Sequence, residues 1–264
     1  MNLKNHLWTY PSLLTSDEVE FINGKAMEFP LEEGAVGQGG RLDLDPDGES
    51  RGKERAAGGD GGKVVDNIRA SDIRWIFGNA QENLGDVWTK INDAVTMGMK
   101  QSGWNVEIEN VEPLQHTTYH AKQGSRGGFY TWHTDASDEP YANTGMIRKL
   151  SFSLQLTDPD EYEGGNFQWI EDIRAKDTLT PNDYTRDMRD YYRQIPNSAK
   201  QKGSLVLFPS FVHHQVTPVT QGCRTSLVGW FVGCLLYTSP SPRDQRGSRM
   251  PCCGCKKKGG GGGG

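Results

Sequence analysis

The spacing of apolar residues changes period once along the chain, near residue 105. Before that point it is helical. Thr15-Ser-Asp-Glu18, preceded by Leu13 and Leu14, is a capping box that opens an amphipathic stretch through Val19, Phe21, Ile22 and Met27. Leu84, Trp88, Ile91, Val95 and Met99 then recur at helical spacing and predict a long helix ending near Gly103. A Trp and Met stripe of this kind is a core face, so the helix is expected to buttress a sheet. Between the two helices, residues 34–63 are rich in Gly, Asp, Arg and Glu and almost free of apolar residues after Leu44. Such a segment cannot bury enough surface to order itself and reads as a mobile loop. Ser71-Asp-Ile-Arg-Trp75 resumes structure, and residues 1–105 together form an N-terminal helical flank.

From Val106 the pattern is that of strands. Short runs rich in β-branched and aromatic residues cover Val106–Ile108, Leu114–Tyr119, Phe129–His133, Lys149–Thr157, Asn166–Ile170, Ser204–Phe208, His214–Val219 and Thr225–Val232. Clusters of Gly, Pro, Asp and Asn separate them. Leu150, Phe152, Leu154 and Leu156 alternate with Ser151, Ser153 and Gln155, as a half-buried antiparallel strand requires. Eight such strands predict a mainly β fold: a double-stranded β-helix (jelly roll) core over 106–233, buttressed by the N-terminal helices. A polar insertion between Ile170 and Lys202 carries Tyr184, Tyr191 and Tyr192; Asp183–Arg193 reads as a short helix and the rest as loop. Gly164-Gly165 reads as a turn where backbones approach closely, since no Lys-Ser/Thr follows to make a phosphate cradle.

The C-terminus departs from all of this. From Cys234 the chain runs Leu-Leu-Tyr-Thr-Ser-Pro-Ser-Pro-Arg-Asp into a Cys/Lys run and polyglycine. Residues 234–244 back-translate, with allowed codons, into the transposase adapter of short-read sequencing libraries, so 234–264 is expected to be disordered adapter read-through and is set aside. Four of the five cysteines go with it, and Cys223 alone cannot form an internal disulfide. It reads as a small apolar residue. What remains suits one domain with a substantial core. A formal net charge of −5 gives no reason to expect nucleic acid as a partner. No stretch approaches a membrane span or a signal peptide, and the protein reads as cytoplasmic.

The chemistry concentrates in four residues. His133 and Asp135 stand two apart at a strand end, so period-two geometry puts both on one face. A His-x-Asp alone is more often a surface turn than a metal site, but His214 and Arg224 follow at suitable separations. Two imidazoles and a carboxylate on one face of iron(II) leave positions open for a co-substrate and oxygen. An arginine ten residues past the second histidine can clamp a dicarboxylate in bidentate fashion. Adjacent strand residues face opposite ways, so only one of His213 and His214 can reach the metal; His214 is favoured, with Val216 on its face. Arg224 is expected to start the strand that forms a hairpin with the His214 segment across Pro218–Gly222. His6, His116 and His120 lack a carboxylate at ligand spacing and read as structural or exposed. Two rivals stay open: a cupin-like metal enzyme independent of 2-oxoglutarate, and a non-catalytic jelly roll.

Residues 114–232 resemble the core of the prolyl 4-hydroxylase-type iron(II)/2-oxoglutarate dioxygenases, particularly the bacterial and phage PKHD-type hydroxylases. The matching pieces are Gln115-His-Thr-Thr-Tyr119, Trp132-His-Thr-Asp135, Arg148-Lys-Leu-Ser151, Leu156-Thr-Asp-Pro-Asp-Glu-Tyr-Glu-Gly-Gly165, Gly203-Ser-Leu-Val-Leu-Phe-Pro209 and the His214 to Arg224 segment. The resemblance implies that His133, Asp135 and His214 ligate iron and that Arg224 binds the distal carboxylate of 2-oxoglutarate. It places Tyr119 as a hydrogen-bond partner of the co-substrate and Trp230 as a pocket-lining aromatic. Gln155 stands where animal relatives carry a second tyrosine; an amide could donate the same bond. For Gln155 and Trp230, core packing is an equal alternative, and Arg148 is expected in an ion pair. The implied reaction couples decarboxylation of 2-oxoglutarate to succinate, with O2 and with ascorbate as candidate reductant, to hydroxylation of an unactivated C–H bond. Asp135 favours hydroxylation, since halogenating relatives lack that carboxylate. The substrate, a peptide residue or a small molecule, and the oligomeric state are not written in the chain.

Overall fold

The computed structural model describes residues 5–34, 68–122, 127–136, 140–141, 144–170 and 192–234. Two helices pack on one side. α1 (Ser16–Ala26) opens on the expected capping box: Glu18 N donates to Thr15 Oγ1 at 3.3 Å and Thr15 N to Glu18 Oε2 at 2.8 Å. α2 (Ala80–Ser102) opens on Asn79, whose side chain accepts from Gln81 and Glu82 N, and ends at Gly103 in the left-handed region (φ 78°). Gly85 interrupts it with φ 53° and ψ −127°. Past that break, Trp88, Ile91, Ala94 and Val95 are buried with Val19 and Ile22 of α1.

The strands form two antiparallel sheets. In the larger, β1 (Trp8–Tyr10), β12 (Leu205–Pro209), β8 (Met146–Gln155), β14 (Val219–Cys234), β6 (Leu114–His120), β4 (Asp72–Ile76) and β2 (Glu32–Glu33) lie in that order, with β5 (Asn110–Val111) and β9 (Tyr162–Gly164) pairing to β14. In the smaller, the order is β11 (Tyr192–Gln194), β10 (Phe167–Ile170), β13 (His214–Val216), β7 (Phe129–His133) and β3 (Arg69–Ala70). Following the chain through β6, β7, β8, β10, β11, β12, β13 and β14 crosses between the sheets again and again, which is the double-stranded β-helix expected.

Several details differ from the sequence expectation. Val106–Ile108 is not a strand; the eighth core strand is β11, inside the polar insertion. Tyr192 and Arg193 belong to it, and the rest of the expected Asp183–Arg193 helix lies outside the described residues, as do positions 35–63 of the expected loop and everything after Cys234. β13 and β14 form no hairpin. β13 pairs with β7 and β10, whereas β14 pairs with β6 and β8, so Thr217 and Pro218 carry the chain from one sheet to the other. Arg224 sits within β14, not at its start. The N-terminal flank adds four short strands to its helices, and β3 and β4 extend both sheets. Cys223 is exposed.

Alternation along the larger sheet sorts its two faces. Leu150, Phe152, Leu154, Leu205, Leu207, Leu227 and Phe231 point to the helices, where Trp88 stacks on Phe231 at 6.0 Å. Burying each such side chain contributes roughly 1.5–3 kcal/mol. The opposite face, turned to the smaller sheet, carries Ser151 and Ser153 paired to Phe208 and Val206, Gln155 paired to Ser226, and Tyr119 paired to Arg224. Phe208 closes on Phe167 of the smaller sheet at 5.3 Å. The space between the sheets thus combines an apolar cluster, with Phe167, Val206, Phe208 and Val216, with polar side chains from β8.

Candidate metal centre

β7 ends at His133 and β13 begins at His214, and the two are direct partners in the antiparallel ladder. Asp135 follows β7, where Asp135 N and Ala136 N both donate to Ser210 O at 2.9 Å. That bond ties the His-x-Asp segment to the turn leading into His214. As a result His133 Nε2 lies 3.6 Å from Asp135 Oδ1 and His214 Nε2 lies 3.6 Å from Asp135 Oδ2. Donors about 2 Å from one ion sit roughly 3–4 Å apart, so this spacing suits a shared cation. His213 does not join the cluster; its backbone oxygen accepts from Ile170 N in the neighbouring strand.

The backbone fixes the imidazole tautomers. His133 Nδ1 lies 2.7 Å from Thr131 O and His214 Nδ1 2.9 Å from Val212 O. A carbonyl can only accept, so each Nδ1 carries the proton and each Nε2 presents its lone pair to the cluster. Rings hold the imidazoles from the sides: Tyr130 stacks on His133 at 3.5 Å, and Phe208 and Phe167 lie 4.6 and 5.4 Å from His214. Burial, then the His133 neighbour, pushes His214 down to about 4, so it is neutral and ready to ligate at ordinary pH. Burial opposes ionisation of Asp135, but His214 and His133 outweigh it and hold the carboxyl well below the usual range. Its Oδ2 is buried with no hydrogen-bond partner among the described residues. A buried anionic oxygen facing two imidazole lone pairs fits a divalent metal and little else.

Arg224 lies deeper between the sheets. It is 2% exposed, its Nη2 donates to Gln155 Oε1 at 2.8 Å, and its guanidinium stands 5.8 Å from the centre of the Tyr119 ring. Nη1 is buried without a partner, and no carboxylate pairs with Arg224 among the described residues. Such a charge is costly unless an anion meets it. Gly165 (φ 56°) makes room for this side chain: a Cβ there would stand 2.9 Å from Arg224 Cδ. Its neighbour Gly164 lets two backbones touch, since a Cβ there would stand 2.1 Å from Pro218 O, as the close-approach reading expected.

The remaining expected residues fall into place unequally. Tyr119 is buried beside Arg224, and burial keeps its hydroxyl protonated. Gln155 has its carbonyl committed to Arg224 and its amide only 3.4 Å from Ser153 Oγ, so it holds the arginine in position. Trp230 is sandwiched between Arg148, 3.8 Å over its ring, and Trp75 at 5.9 Å, with Nε1 buried and unpartnered among the described residues. Arg148 makes the expected ion pair, a fork onto Glu112 at 2.8 and 2.6 Å, where Tyr141 Oη also donates at 2.7 Å. His116 bonds Asn23 of α1 and His120 pairs with Asp72 at 3.1 Å, neither near the cluster. Sequence reasoning missed Tyr130, Ser210 and Glu112. None of the three left a signal that strand alternation could have flagged: alternation sets Tyr130 opposite His133, and it shares a side with His133 only because the ladder is shifted by a bulge there.

Residues 114–232 match the family described as the 2OG-Fe(II) oxygenase superfamily. A PKHD-type hydroxylase from Synechococcus sp. (strain CC9605) is 35% identical over 108 residues, covering 41% of this chain and 38% of that protein. Another, from Hyphomonas neptunium (strain ATCC 15444), is 31% identical over 165 residues, covering 62% and 64%. The chain thus spans less than two thirds of the length of these relatives. The crystal structure of the viral collagen prolyl hydroxylase from Paramecium Bursaria Chlorella virus-1, as its 2OG complex, superposes with a TM-score of 0.52 at 15% identity, over 87% of this chain and 97% of that one. At that identity the likeness speaks for the fold. The expected resemblance to 2-oxoglutarate-dependent, prolyl 4-hydroxylase-like oxygenases is borne out, and with it the double-stranded β-helix.

Proposed function

We propose that this chain is an iron(II)- and 2-oxoglutarate-dependent dioxygenase that hydroxylates an unactivated C–H bond in a peptide residue of the prolyl type or in a small molecule. The observation that carries this reading is Arg224: a buried guanidinium with an unpartnered Nη1 and no carboxylate beside it among the described residues, next to Tyr119, which also lies within electrostatic reach of Asp135. A cupin-like enzyme without 2-oxoglutarate, or a non-catalytic jelly roll, has no use for that charge.

In this reading His133, Asp135 and His214 hold the iron, and the metal, once bound with 2-oxoglutarate, supplies the oxidising chemistry that consumes O2 and yields succinate and carbon dioxide. The chain's own work is positional. The two backbone-fixed imidazoles keep Nε2 on the metal side without rearrangement. Arg224, steadied by Gln155, receives the distal carboxylate, and the protonated Tyr119 hydroxyl donates beside it. The charges balance locally: Asp135 faces the cation and Arg224 faces the dicarboxylate. The family resemblance supports Trp230, covered by Arg148 at 3.8 Å, as a pocket-lining aromatic. This reading extends to ascorbate as reductant, a peptide partner and a cytoplasmic setting in a bacterium or its phage. No helix among the described residues is long and apolar enough to cross a membrane.

Anaerobic iron(II)-loaded protein should develop a weak visible charge-transfer band on titration with 2-oxoglutarate. Absence of that band in protein shown to hold iron would overturn the reading. Mass spectrometry of lysate proteins and metabolites, for oxygen-mass additions that require iron and 2-oxoglutarate, would then identify the substrate.

A further inference from the structure

Ser151 of β8 and Ser210, the residue after β12, are both 0% exposed, and their hydroxyls meet at 2.9 Å. The pair adds little to folding. A buried hydroxyl exchanges hydrogen bonds to water for one to protein, and replacing both partners by apolar groups is nearly neutral for stability. Ser210 is set apart by what its backbone holds. Its N–H donates to Lys149 O at 3.0 Å, which fastens it to the larger sheet. Both lone pairs of its carbonyl are taken, by Asp135 N and Ala136 N at 2.9 Å each. Two residues on, Val212 O fixes the His214 imidazole at Nδ1. Asp135 depends on this anchor: its Oδ2 has no hydrogen-bond partner among the described residues, so the carboxylate is aimed by its backbone. The Ser151–Ser210 bond is a side-chain link that holds the anchoring turn against β8.

Resting on the metal reading of His133, Asp135 and His214, we propose that Ser151 and Ser210 are positioning residues for the metal centre. Their hydroxyl pair fixes the Ser210 peptide, and through it the place of the Asp135 carboxylate beside the two imidazoles. Hydrogen bonds behind metal ligands change metal affinity by about 10–100-fold, and a link one step further back belongs at the lower end of that range.

The test is a titration of the full chain with cobalt(II), whose visible spectrum reports ligand geometry without oxygen chemistry, beside thermal melts without metal. Ser151→Ala and Ser210→Ala each strand one buried hydroxyl and should lower the melting temperature by several degrees. The double variant strands neither and should melt close to wild type. Every folded variant, the double included, should bind cobalt(II) about tenfold more weakly than wild type, with a shifted visible spectrum. Affinity that stays low while stability returns is the signature of positioning; a merely structural pair would recover both together. A double variant that binds cobalt(II) within about threefold of wild type, with an unaltered spectrum, overturns the proposal. So do affinities that simply follow melting temperature, and so does failure of all the variants to fold. Wild-type protein that takes up no divalent metal would instead remove the metal reading itself, a separate outcome.

Discussion

Replacing Arg224 with Leu separates two things that one buried cation could be doing. In the ligand-free protein the guanidinium has one good bond, to Gln155 Oε1 at 2.8 Å, and no counter-charge among the described residues. Its loss leaves that amide oxygen short of a donor, a cost of about 1–3 kcal/mol, which is offset by removing an uncompensated charge from a site 2% exposed. The ligand-free melting temperature should therefore move by only a few degrees. The co-substrate complex is different. A distal carboxylate loses charge-assisted hydrogen bonds of about 1.5–3 kcal/mol each and is left buried unpaired, about 3–5 kcal/mol in all, or more than a hundredfold in affinity.

The assay is the anaerobic chelate titration, paired with thermal melts. At 2-oxoglutarate a hundred times the wild-type dissociation constant, wild type gains about 2.7 kcal/mol of stability and Arg224→Leu should gain almost none. Arg224→Lys keeps a charge but not the planar fork, so it should weaken binding less and retain some turnover. Iron affinity should survive both changes. Unchanged 2-oxoglutarate affinity in Arg224→Leu would refute the assignment, and so would loss of iron in step with loss of co-substrate.

Three further outcomes are expected. His214→Ala should abolish iron binding measured by metal analysis, whereas His213→Ala should leave it nearly intact; the reverse result would overturn the facing assigned to β13. Glu112→Ala strips the partly buried Arg148 guanidinium of both its bonds to Glu112 and should cost a few kcal/mol, about 3 or less, in denaturant unfolding. Burial, with Arg74 nearby, holds His116 down at about 4 in the folded chain, against about 6.5 when unfolded. Between those values the unfolded state binds a proton that the folded state refuses, so stability falls as pH drops from 6.5 towards 4, by about 3 kcal/mol at its fullest. His116→Gln keeps a donor for Asn23 and should remove this contribution, leaving the separate one from His214; an unchanged pH profile of unfolding would count against it.

What the sequence reveals here is what is local and periodic. The Thr15–Glu18 box, the α2 stripe ending at Gly103 and the alternation of Leu150–Gln155 each depend on a few neighbouring residues, and each appears in the structure as expected. His133, Asp135, His214 and Arg224 are legible because ligand chemistry restricts residue type and strand period restricts spacing. Sheet assignment is not local. Whether the chain turns back at Pro218 or crosses to the other sheet depends on closure of the whole β-helix, so a hairpin was the natural misreading of β13 and β14. β11 is three residues in a polar context and has no period to detect. Gln155 illustrates the same limit for chemistry, because its partner Arg224 is distant in sequence and meets it only through the β8–β14 ladder.

The sorting of β8 into an apolar outer face and a polar inner one has an evolutionary consequence. Along β8 the even positions Leu150, Phe152 and Leu154 hold the helices, and the odd positions Ser151, Ser153 and Gln155 face the reaction space. Folding energy and chemical selectivity are thus written in alternate letters of the same strand. Mutation at an odd position can retune what is bound while the even positions keep the scaffold intact, so new selectivities are reachable by single steps that do not pass through an unfolded protein.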